Sequence, residues 1–406
     1  MKYIMVLADG MADYPIEQLG GATPLERAHT PNLDRLAGIG RMGMAKTIPD
    51  GMPPGSDVAN LSVIGYDPKA YYTGRSPLEA VSLGVEMADD DVAFRCNLVT
   101  LSQEDDYARK TMVDYSSDEI STEESRQLMA EVDRRFGSSS LNFYPGISYR
   151  HLLVWRSGSL EVTLTPPHDI SGRVVGEYLP AGKEGGRLLE MMEKSPSFLA
   201  AHPVNREREK RGLHPANSIW FWGEGKRPAL SSFVEKYGIQ GSVVCAVDLI
   251  RGLGICAGLR PVRVDGATGG IVTDFWGKAR AAVDELKSGQ QFVFIHIEAP
   301  DEAGHHGDLE AKIRAIEEID SKVIGQIIGS LGDEDYRLMI LPDHPTPISL
   351  RTHVADEVPF LLYEHRGGEA VPDQKSSAGF GETAAGAAGW RIGHGHELMD
   401  VLILGG

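Results

Sequence analysis

Short runs of apolar residues that end at acidic or turn-forming residues recur along the chain. Five of these runs are continuous rather than alternating, which predicts strands buried on both faces of a sheet. They cover residues 3–8, 242–247, 292–297, 337–341 and 358–363. Segments with apolar positions at helical spacing lie between them, so strands and helices alternate. This order predicts an α/β fold with a doubly wound sheet.

Helix boundaries are indicated by residues that favour caps. Thr30 followed by Pro31 predicts the start of a helix over 32–40. Asp308 is a candidate N-cap for a long helix that ends at Leu331, and 278–286 has the pattern of another helix. Residues 366–386 are rich in Gly, Ala, Ser and Glu and predict a mobile surface loop.

The middle of the chain has a different pattern. Alternating strands are predicted at 151–155 and 160–164, with a charged helix over 122–135 and Gly/Pro-rich segments after them. We interpret this region as an α+β domain inserted into the sheet domain. The predicted limits are 77–220 for the inserted domain and 1–76 with 221–406 for the sheet domain.

Composition narrows the possible partners and the compartment. The 406 residues include 40 Lys+Arg and 58 Asp+Glu, a net charge of −18, which disfavours nucleic acid and anionic membrane surfaces. The three cysteines are far apart and form no CxxC pair, so neither a disulfide framework nor a thiolate zinc site is supported. No apolar run has the length of a membrane span. We expect a cytoplasmic protein.

Aspartates follow three of the predicted strands, and histidines lie close behind two of them. Ligand sites in α/β sheets lie at the carboxyl ends of strands, and carboxylates with imidazoles bind Zn²⁺, Mn²⁺ or Fe. A single aspartate at a strand end is more commonly a helix cap or turn residue, but the joint pattern favours two metal ions. The candidate ligands are Asp9, Asp301, His305, Asp343, His344 and His353.

Ser56 is the candidate nucleophile. It follows Gly55 in a Pro/Gly-rich turn and precedes apolar positions at helical spacing, which places it at a helix N-terminus. A serine there is usually only an N-cap, but beside a metal pair it can attack a phosphoryl group. The sequence contains neither a GxSxG elbow nor a Walker A loop, so triad and P-loop chemistry lack support.

Several motifs carry a resemblance to a known family. The most specific are Tyr72-Thr-Gly-Arg75, Ile219-Trp-Phe-Trp-Gly223 and Glu298-Ala-Pro-Asp301-Glu-Ala-Gly-His305. With these segments the chain resembles the archaeal-type cofactor-independent phosphoglycerate mutases of the alkaline-phosphatase superfamily, over nearly its whole length. The aspartate, serine and histidine set alone specifies only the superfamily. The resemblance implies an alkaline-phosphatase-like sheet domain with an inserted domain that closes over the site.

The resemblance also implies a division of the ligands and a reaction. Ser56 would take the phosphoryl group of 3-phosphoglycerate or 2-phosphoglycerate and return it to the other hydroxyl of glycerate, without 2,3-bisphosphoglycerate, in glycolysis and gluconeogenesis. Manganese is the preferred metal, and zinc, cobalt or magnesium also fit the ligand types. One ion would be held by Asp9, Ser56, Asp343 and His344, and the other by Asp301, His305 and His353.

Substrate-binding residues outside the metal ligands are harder to read from the sequence. Arg150 and His168 are candidates for binding the glycerate carboxylate or phosphate, and His151 and Asp169 for proton transfer. Arg251, which we predict to end a strand, is the candidate phosphate-binding and catalytic arginine. For Arg150 and His151 an ordinary place on a strand surface is an equally good interpretation.

Two other classes of function remain open at this stage. The first is a metal-dependent phosphohydrolase, or a phosphomutase acting on another small phosphate ester, with the same metal ligands. The second is a non-catalytic metal-binding or regulatory protein, which Ser56 disfavours because a metal store needs no nucleophile. A homoserine kinase is disfavoured because no nucleotide-binding glycine loop is present. The oligomeric state is left open.

Overall fold

The computed structural model describes residues 1–367 and 379–405, and the chain divides into two compact units. The first unit comprises Met1–Tyr72 and Leu230–Gly406, and the second comprises Thr73–Ala229. The domain limits predicted from the sequence lie after residues 76 and 220, so the second unit also takes in 73–76 and 221–229, which were predicted for the sheet domain. Each unit has its own sheet and its own apolar core.

Eight strands of the described residues form the sheet of the first unit. Its central strands are parallel and almost wholly buried, which explains their continuous apolar sequences. Across the sheet the order is Arg391–Ile392, Arg41–Ala45, Val358–His365, Tyr336–Leu341, Lys2–Ala8, Phe292–Ile297, Gly241–Val244 and Arg260–Val262. The strand Val358–His365 is antiparallel to both neighbours. The α/β prediction and the five predicted strands are confirmed.

Helices flank this sheet and bury their apolar positions against it. The candidate cap Asp308 accepts a hydrogen bond from the Ala311 amide at 2.9 Å, so the predicted start of the long helix is confirmed.

No helix in the described part of the chain is both long and apolar enough to cross a membrane. The α-helices of this unit are Pro24–Arg27, Pro31–Ile39, Ser56–Val63, Pro68–Tyr71, Phe233–Tyr237, Asp248–Cys256, Phe275–Lys287, Ala299–His306, Leu309–Glu318, Gly325–Leu331, Glu382–Ala387 and Leu398–Leu404, with a π-helical stretch at Ile319–Ile324.

The helix Pro31–Ile39 is capped by a residue distant in sequence. Thr30 occupies the N-cap position before Pro31, as predicted, but its side chain makes no capping hydrogen bond. The buried carboxylate of Asp320 instead accepts from the backbone amides of Asn32 at 3.2 Å and Leu33 at 2.7 Å. Asp320 lies in the π-helical stretch Ile319–Ile324. Its carboxylate satisfies amides at the start of the helix Pro31–Ile39 that have no partner within that helix.

The segment predicted as a mobile loop, 366–386, is only partly described. Residues 368–378 lie outside the described residues. Glu382–Ala387 is a helix, so the loop prediction is wrong there. Tertiary contacts explain the difference, because the Glu382 carboxylate accepts from the Thr23 hydroxyl at 2.6 Å and from the Asp13 amide at 3.1 Å. Composition alone gives no sign of such contacts.

The second unit is an α+β structure with an antiparallel sheet. Its strands are Met112–Asp114, Val92–Leu101, Arg150–Trp155 and Leu141–Tyr144 in spatial order, and Ser218–Gly225 also pairs with Val92–Leu101. Its α-helices are Ser76–Ser82, Thr122–Phe136, Gly185–Lys194, Pro196–Leu199 and Pro203–Lys210. The predicted strand at 151–155 and the helix at 122–135 are confirmed.

The strand predicted at 160–164 is wrong. This segment makes one isolated bridge, between Thr163 and Ala181, and is otherwise irregular. Proline explains why the pairing does not extend, since Pro180 precedes Ala181 and Pro166 follows the segment shortly afterwards. Proline has no amide hydrogen to donate to a ladder.

We expect Asp320→Ala to lower the free energy of unfolding by about 2–3 kcal/mol, because buried amide donors lose a charged acceptor. Urea unfolding of the full chain measures this. The matched control is Ser321→Ala, at the neighbouring exposed position, which should change the free energy by less than about 0.5 kcal/mol. Equal effects of the two substitutions would contradict the capping role.

Candidate active site

The site of the first unit forms at the carboxyl ends of three adjacent parallel strands. The strand Lys2–Ala8 lies between Phe292–Ile297 and Tyr336–Leu341 and is parallel to both. The residues that follow these strands therefore meet at one edge of the sheet. As expected from the sequence, they are three buried aspartates. Asp9, Asp301 and Asp343 are 4%, 8% and 0% exposed.

One cluster forms around Asp301. Asp301 and His305 lie one turn apart on the helix Ala299–His306, and His305 Nε2 is 3.3 Å from Asp301 Oδ2. His353 approaches from the other side, with its Nε2 3.3 Å from Asp301 Oδ1. The two imidazoles face each other, since their Nε2 atoms are 2.8 Å apart. The three side chains predicted to hold one metal are thus together.

A second cluster surrounds His344. Its Nε2 atom lies 3.6 Å from Asp9 Oδ1 and 3.4 Å from Asp343 Oδ2. The Ser56 hydroxyl is 3.1 Å from the same nitrogen. Asn60 donates from its side-chain amide to Asp343 Oδ2 at 2.9 Å, which orients that carboxylate. The four side chains predicted for the other metal therefore also lie together.

Ser56 is the first residue of the helix Ser56–Val63. Gly55 takes the N-cap position with an extended backbone, so the Ser56 side chain is not used as a cap. One turn later Asn60 donates to the Ser56 carbonyl at 2.8 Å, in addition to its bond to Asp343. The amides at the start of this helix, together with its dipole, favour a negatively charged group beside the hydroxyl.

Each histidine of the site turns its Nε2 atom inward because its Nδ1 atom has another partner. His305 Nδ1 is 3.1 Å from the Arg351 carbonyl, and His353 Nδ1 is 3.2 Å from the Pro54 carbonyl. Arg351 has a positive φ of 58°, which is strained for a residue with a side chain. Contacts of this kind fix the tautomer and orientation of metal-binding histidines.

The donor set fits divalent metal ions. A carbonyl only accepts, so His305 and His353 each donate from Nδ1, and unless their Nε2 atoms also carry a proton the two Nε2 lone pairs face each other. A cation or a proton must lie between such lone pairs. In addition, Asp9 Oδ1 is buried and has no hydrogen-bond partner, a costly arrangement without a ligand. Carboxylates with imidazoles are ligands of Mn²⁺, Zn²⁺ and related ions.

The pKa shifts reflect the crowding of carboxylates. Burial, with the charges of Asp343 and Asp301, raises the pKa of Asp9 well above its usual range. Burial also acts to raise the pKa of Asp301, but hydrogen bonds from His305 and His353 outweigh it and bring that pKa well below its usual range. The hydrogen bond to Asp301 raises the pKa of His305 to about 9. The site thus takes up positive charge wherever a proton can supply it.

Gly10 permits the close approach of the strand ends. It has a φ of 62°, and a Cβ atom there would lie 2.7 Å from Asp301 Cα and 2.6 Å from Thr346 Oγ1. Only glycine avoids both the backbone strain and the overlap. The Gly10 amide donates to Asp343 Oδ1 at 3.2 Å, so the same residue links two of the three aspartates.

Two predicted substrate-binding residues of the second unit, Arg150 and His168, lie in a cationic environment. Arg150 is paired with Asn97 across the sheet and shares a face with Arg95. Burial lowers the pKa of His168, and the charge of Arg95 contributes to the same shift. The ring of His168 packs edge-on against Trp222, with centroids 5.1 Å apart.

Arg75 and Arg95 belong to this environment, and neither was among the substrate-binding candidates predicted from the sequence. Both form ion pairs with Glu79, and the Arg95 guanidinium lies 4.6 Å from the centre of the Trp222 ring. Burial, with the charges of Arg75 and Arg150, lowers the pKa of Arg95 although Glu79 opposes this shift. The motif Tyr72-Thr-Gly-Arg75 offered a signal for Arg75. For Arg95 the available signal was a charged residue inside an otherwise apolar strand.

His151 and Asp169 are placed differently from Arg150. Neighbouring strand residues point to opposite faces, so His151 faces the apolar core while Arg150 faces the cationic side. His151 is 2% exposed, its Nε2 atom has no hydrogen-bond partner, and burial lowers its pKa to about 3. Asp169 is exposed, with its Oδ1 3.5 Å from His168 Nε2. Proton-transfer roles for His151 and Asp169 stay predictions.

Arg251 lies on a helix and not at a strand end, so that placement is corrected. The strand ends at Val244, and the helix Asp248–Cys256 begins four residues later. The Arg251 guanidinium is 3.5 Å from Asp248 Oδ1, one turn earlier on the same helix. The apolar residues up to 247 extended the predicted strand too far. The phosphate-binding and catalytic role of Arg251 stays a prediction.

The most informative residue missed in the sequence is His296. It is fully buried in the strand Phe292–Ile297, and its Nε2 atom lies 3.3 Å from Asp9 Oδ2. Ligand atoms of Asp9, His296 and Asp343 all lie within 4.8 Å of one another. A histidine inside an otherwise apolar strand was the signal that the sequence offered.

Fold and site together define an α/β protein of the enzyme type, with buried carboxylates and imidazoles that fit metal ions at the strand ends and a serine hydroxyl beside them. Residues 37–205 match the family model described as 2,3-bisphosphoglycerate-independent phosphoglycerate mutase. A probable 2,3-bisphosphoglycerate-independent phosphoglycerate mutase of Geobacter sulfurreducens is 50% identical, over 99% of this chain and 100% of the relative. The chain therefore belongs to the 2,3-bisphosphoglycerate-independent phosphoglycerate mutases.

Solved structures resemble the whole chain. A protein of Pyrococcus horikoshii is 30% identical with a TM-score of 0.82, and the match covers 100% of this chain and 98% of that one. The cofactor-independent phosphoglycerate mutase of Thermoplasma acidophilum is 27% identical with a TM-score of 0.68, over 100% of this chain and 99% of that one. The sequence-based recognition of the family is confirmed.

We expect a saturating divalent metal to raise the Tm of the chain by about 5–10 °C, since binding at 100 times Kd stabilises by about 2.7 kcal/mol. Asp301→Ala removes the carboxylate that lies beside both His305 and His353. This variant should lose most of the metal-induced rise in Tm. The control is Asp89→Ala, at an exposed position of the second unit. A metal-induced rise in Asp301→Ala equal to that of the wild type would contradict the assignment of this cluster.

Proposed function

We propose that the chain interconverts 3-phosphoglycerate and 2-phosphoglycerate, without 2,3-bisphosphoglycerate, by transient phosphorylation of Ser56. The observation that carries this proposal is the position of the Ser56 hydroxyl. It lies at the start of a helix, 3.1 Å from His344 Nε2, beside two clusters that fit metal ions. Membership of the mutase family supplies the substrate class.

The proposed reaction has two displacements of the same kind. The Ser56 hydroxyl gives up its proton as Oγ bonds to phosphorus, the bond from phosphorus to the glycerate oxygen breaks, and that oxygen takes up a proton. After glycerate reorients, its other hydroxyl gives up its proton as its oxygen bonds to phosphorus, the bond to Ser56 Oγ breaks, and Oγ takes up a proton. No net proton, water or cofactor is consumed. The helix start at Ser56 favours the negative charge of the transferred group.

We propose two divalent ions, with manganese preferred, held by the two clusters around Asp301 and His344. When bound, such ions lower the pKa of the serine hydroxyl and neutralise the charge of the phosphoryl oxygens. The protein side chains position Ser56 and each other: Asn60 orients Asp343, and the Arg351 and Pro54 carbonyls orient His305 and His353. Because the ligand types fit several ions, the preference for manganese is a matter for experiment.

We propose that the cationic face of the second unit binds the glycerate carboxylate. Arg150 lies over the Tyr149 ring, with its guanidinium carbon 4.6 Å from the ring centre. Arg75, Arg95 and His168 provide further positive charge or hydrogen-bond donors near it. Planar guanidinium groups bind carboxylates through two parallel hydrogen bonds.

We also propose that the protein acts in the cytoplasm, in glycolysis and gluconeogenesis.

Ser56→Ala should lower mutase activity by at least about 10⁴-fold, because the variant has no oxygen to accept the phosphoryl group. Formation of 2-phosphoglycerate is measured without added 2,3-bisphosphoglycerate, and mass spectrometry of acid-quenched wild type should show a phosphorylated Ser56 peptide. Ser197→Ala, at an exposed serine of the second unit, is the control.

Full activity of Ser56→Ala would refute the covalent mechanism. Free phosphate is measured in the same assay. Release of phosphate without formation of 2-phosphoglycerate would select a metal-dependent phosphohydrolase instead.

Arg150→Met should raise KM and lower kcat/KM by about 10- to 100-fold, because a charged hydrogen bond to the substrate is worth about 1.5–3 kcal/mol. The control is Arg134→Met, which removes an exposed arginine paired with Glu131 in the same unit. Steady-state kinetics of both variants measure the difference. Unchanged kinetics in Arg150→Met would show that Arg150 is an ordinary residue of the strand surface.

A further inference from the structure

A line of buried ionisable side chains leads through the first unit to Asp9. Lys278 Nζ lies 2.6 Å from Glu298 Oε2, and Glu298 Oε1 lies 3.2 Å from His296 Nδ1. His296 Nε2 in turn lies 3.3 Å from Asp9 Oδ2. The side chains of Lys278 and His296 are 0% exposed and that of Glu298 is 5% exposed. The mechanism described above uses none of these three residues.

Stability alone gives no reason for this arrangement. The neighbours along the chain are apolar members of the core: Phe275 and Ala279 near Lys278 in the helix, and Ile295 and Ile297 on either side of His296 in the strand. Removing charged groups from water costs several kcal/mol each, and well-packed apolar side chains of similar volume are often at least as stabilising. A buried lysine, glutamate and histidine in such a place therefore point to a function at the end of the line, which is Asp9.

The far end of the line is held rigidly. Lys278 Nζ donates both to the Glu298 carboxylate and to the His296 carbonyl, the latter at 2.9 Å. Glu298 Oε1 also accepts from the Ala246 amide at 3.4 Å, beyond the end of the neighbouring strand. Glu298 therefore has partners on both of its oxygens and cannot turn away from His296 Nδ1. The imidazole of His296 is fixed between two carboxylates.

We propose that His296 is a positioning residue for Asp9, whose Oδ2 atom it holds so that Oδ1 is directed at the metal centre. The two oxygens of Asp9 have different surroundings. Oδ2 faces His296, whereas Oδ1 lies 3.6 Å from His344 Nε2 and has no hydrogen-bond partner in the protein. Both ring nitrogens of His296 are buried and make no hydrogen bond of good geometry, and the carboxylate oxygens within 3.3 Å of them are those of Asp9 and Glu298. This assignment rests on the proposed metal centre.

The geometry favours positioning over direct coordination. A histidine that bound the same ion as His344 would approach the Asp9 oxygen that faces His344, but His296 approaches the other oxygen. Its Nδ1 atom lies beside a carboxylate that is already neutralised by Lys278. Residues that orient metal ligands in this way typically contribute about 10- to 100-fold to metal affinity.

Two conservative substitutions at position 296 separate the two contacts of the imidazole. The side-chain amide nitrogen of His296→Gln can occupy the place of Nε2 and donate to Asp9. In His296→Asn the amide nitrogen can occupy the place of Nδ1, so the contact with Glu298 is kept and Asp9 loses its donor. Binding of Mn²⁺ alone to the metal-free full chain is measured by calorimetry, with thermal unfolding of each metal-free variant as the folding control.

We expect His296→Asn to weaken Mn²⁺ binding at one class of site by about 10- to 100-fold, and His296→Gln by less than about 3-fold. Both variants should bind as many ions as the wild type at saturation. In activity assays the Mn²⁺ concentration for half-maximal rate should rise in His296→Asn, while kcat at saturating Mn²⁺ should approach that of the wild type. Glu298→Gln, which frees the imidazole, should weaken binding in the same direction by about 3- to 10-fold.

Three results would overturn the assignment. Loss of a whole equivalent of bound Mn²⁺ in both variants at position 296 would make His296 a ligand. Wild-type affinity in His296→Asn and Glu298→Gln, with a lowered Tm, would make the line of charges purely structural. A wild-type chain that binds no Mn²⁺ would refute the proposed metal centre itself, and this outcome is distinguishable because it precedes any comparison of variants.

Discussion

The site depends on one constraint, the parallel pairing of Lys2–Ala8 with a strand on each side. This pairing brings Asp9, Asp301 and Asp343 to one buried edge of the sheet, where like charges repel strongly because little water screens them. Positive charge must be supplied, and the raised pKa of Asp9 shows what happens when only protons are available. The histidines, Gly10 and Ser56 are arranged around that requirement.

The ligand side chains are held by groups that do not themselves face the metal positions. A fully buried ammonium, that of Lys312, donates to the Asp13 carboxylate at 2.7 Å and to the Ala12 and Thr346 carbonyls at 3.2 and 2.8 Å. It joins the segments that follow two neighbouring strands. Together with the carbonyls behind the histidines, this contact makes the site rigid before any ion or substrate binds, which lowers the entropic cost of binding.

An acidic chain that binds phosphoglycerate, a carboxylate that also carries a phosphate ester, must concentrate its positive charge. The net charge of −18 describes the whole surface, whereas the proposed reaction involves two local environments. One is the cluster of carboxylates, which becomes cationic when divalent ions bind. The other is the face of the second unit where Arg75, Arg95 and Arg150 influence one another electrostatically. The overall acidity still disfavours nucleic acid.

The sequence by itself determined the α/β class, the five buried strands, the helices near 32–40, 122–135, 278–286 and 308–331, the family and the residues gathered in the two clusters. The strands, helices and cluster residues depend on periodicity and on residues that follow strands, which are local properties, whereas the family was recognised from the resemblance of its motifs. Only the tertiary structure decided that Asp320 caps a distant helix, that His151 and Arg150 point to opposite faces, and that Arg251 lies on a helix. It also brought His296 to Asp9. Such contacts join residues far apart in the chain, and no local pattern specifies which distant side chain will fill a buried position.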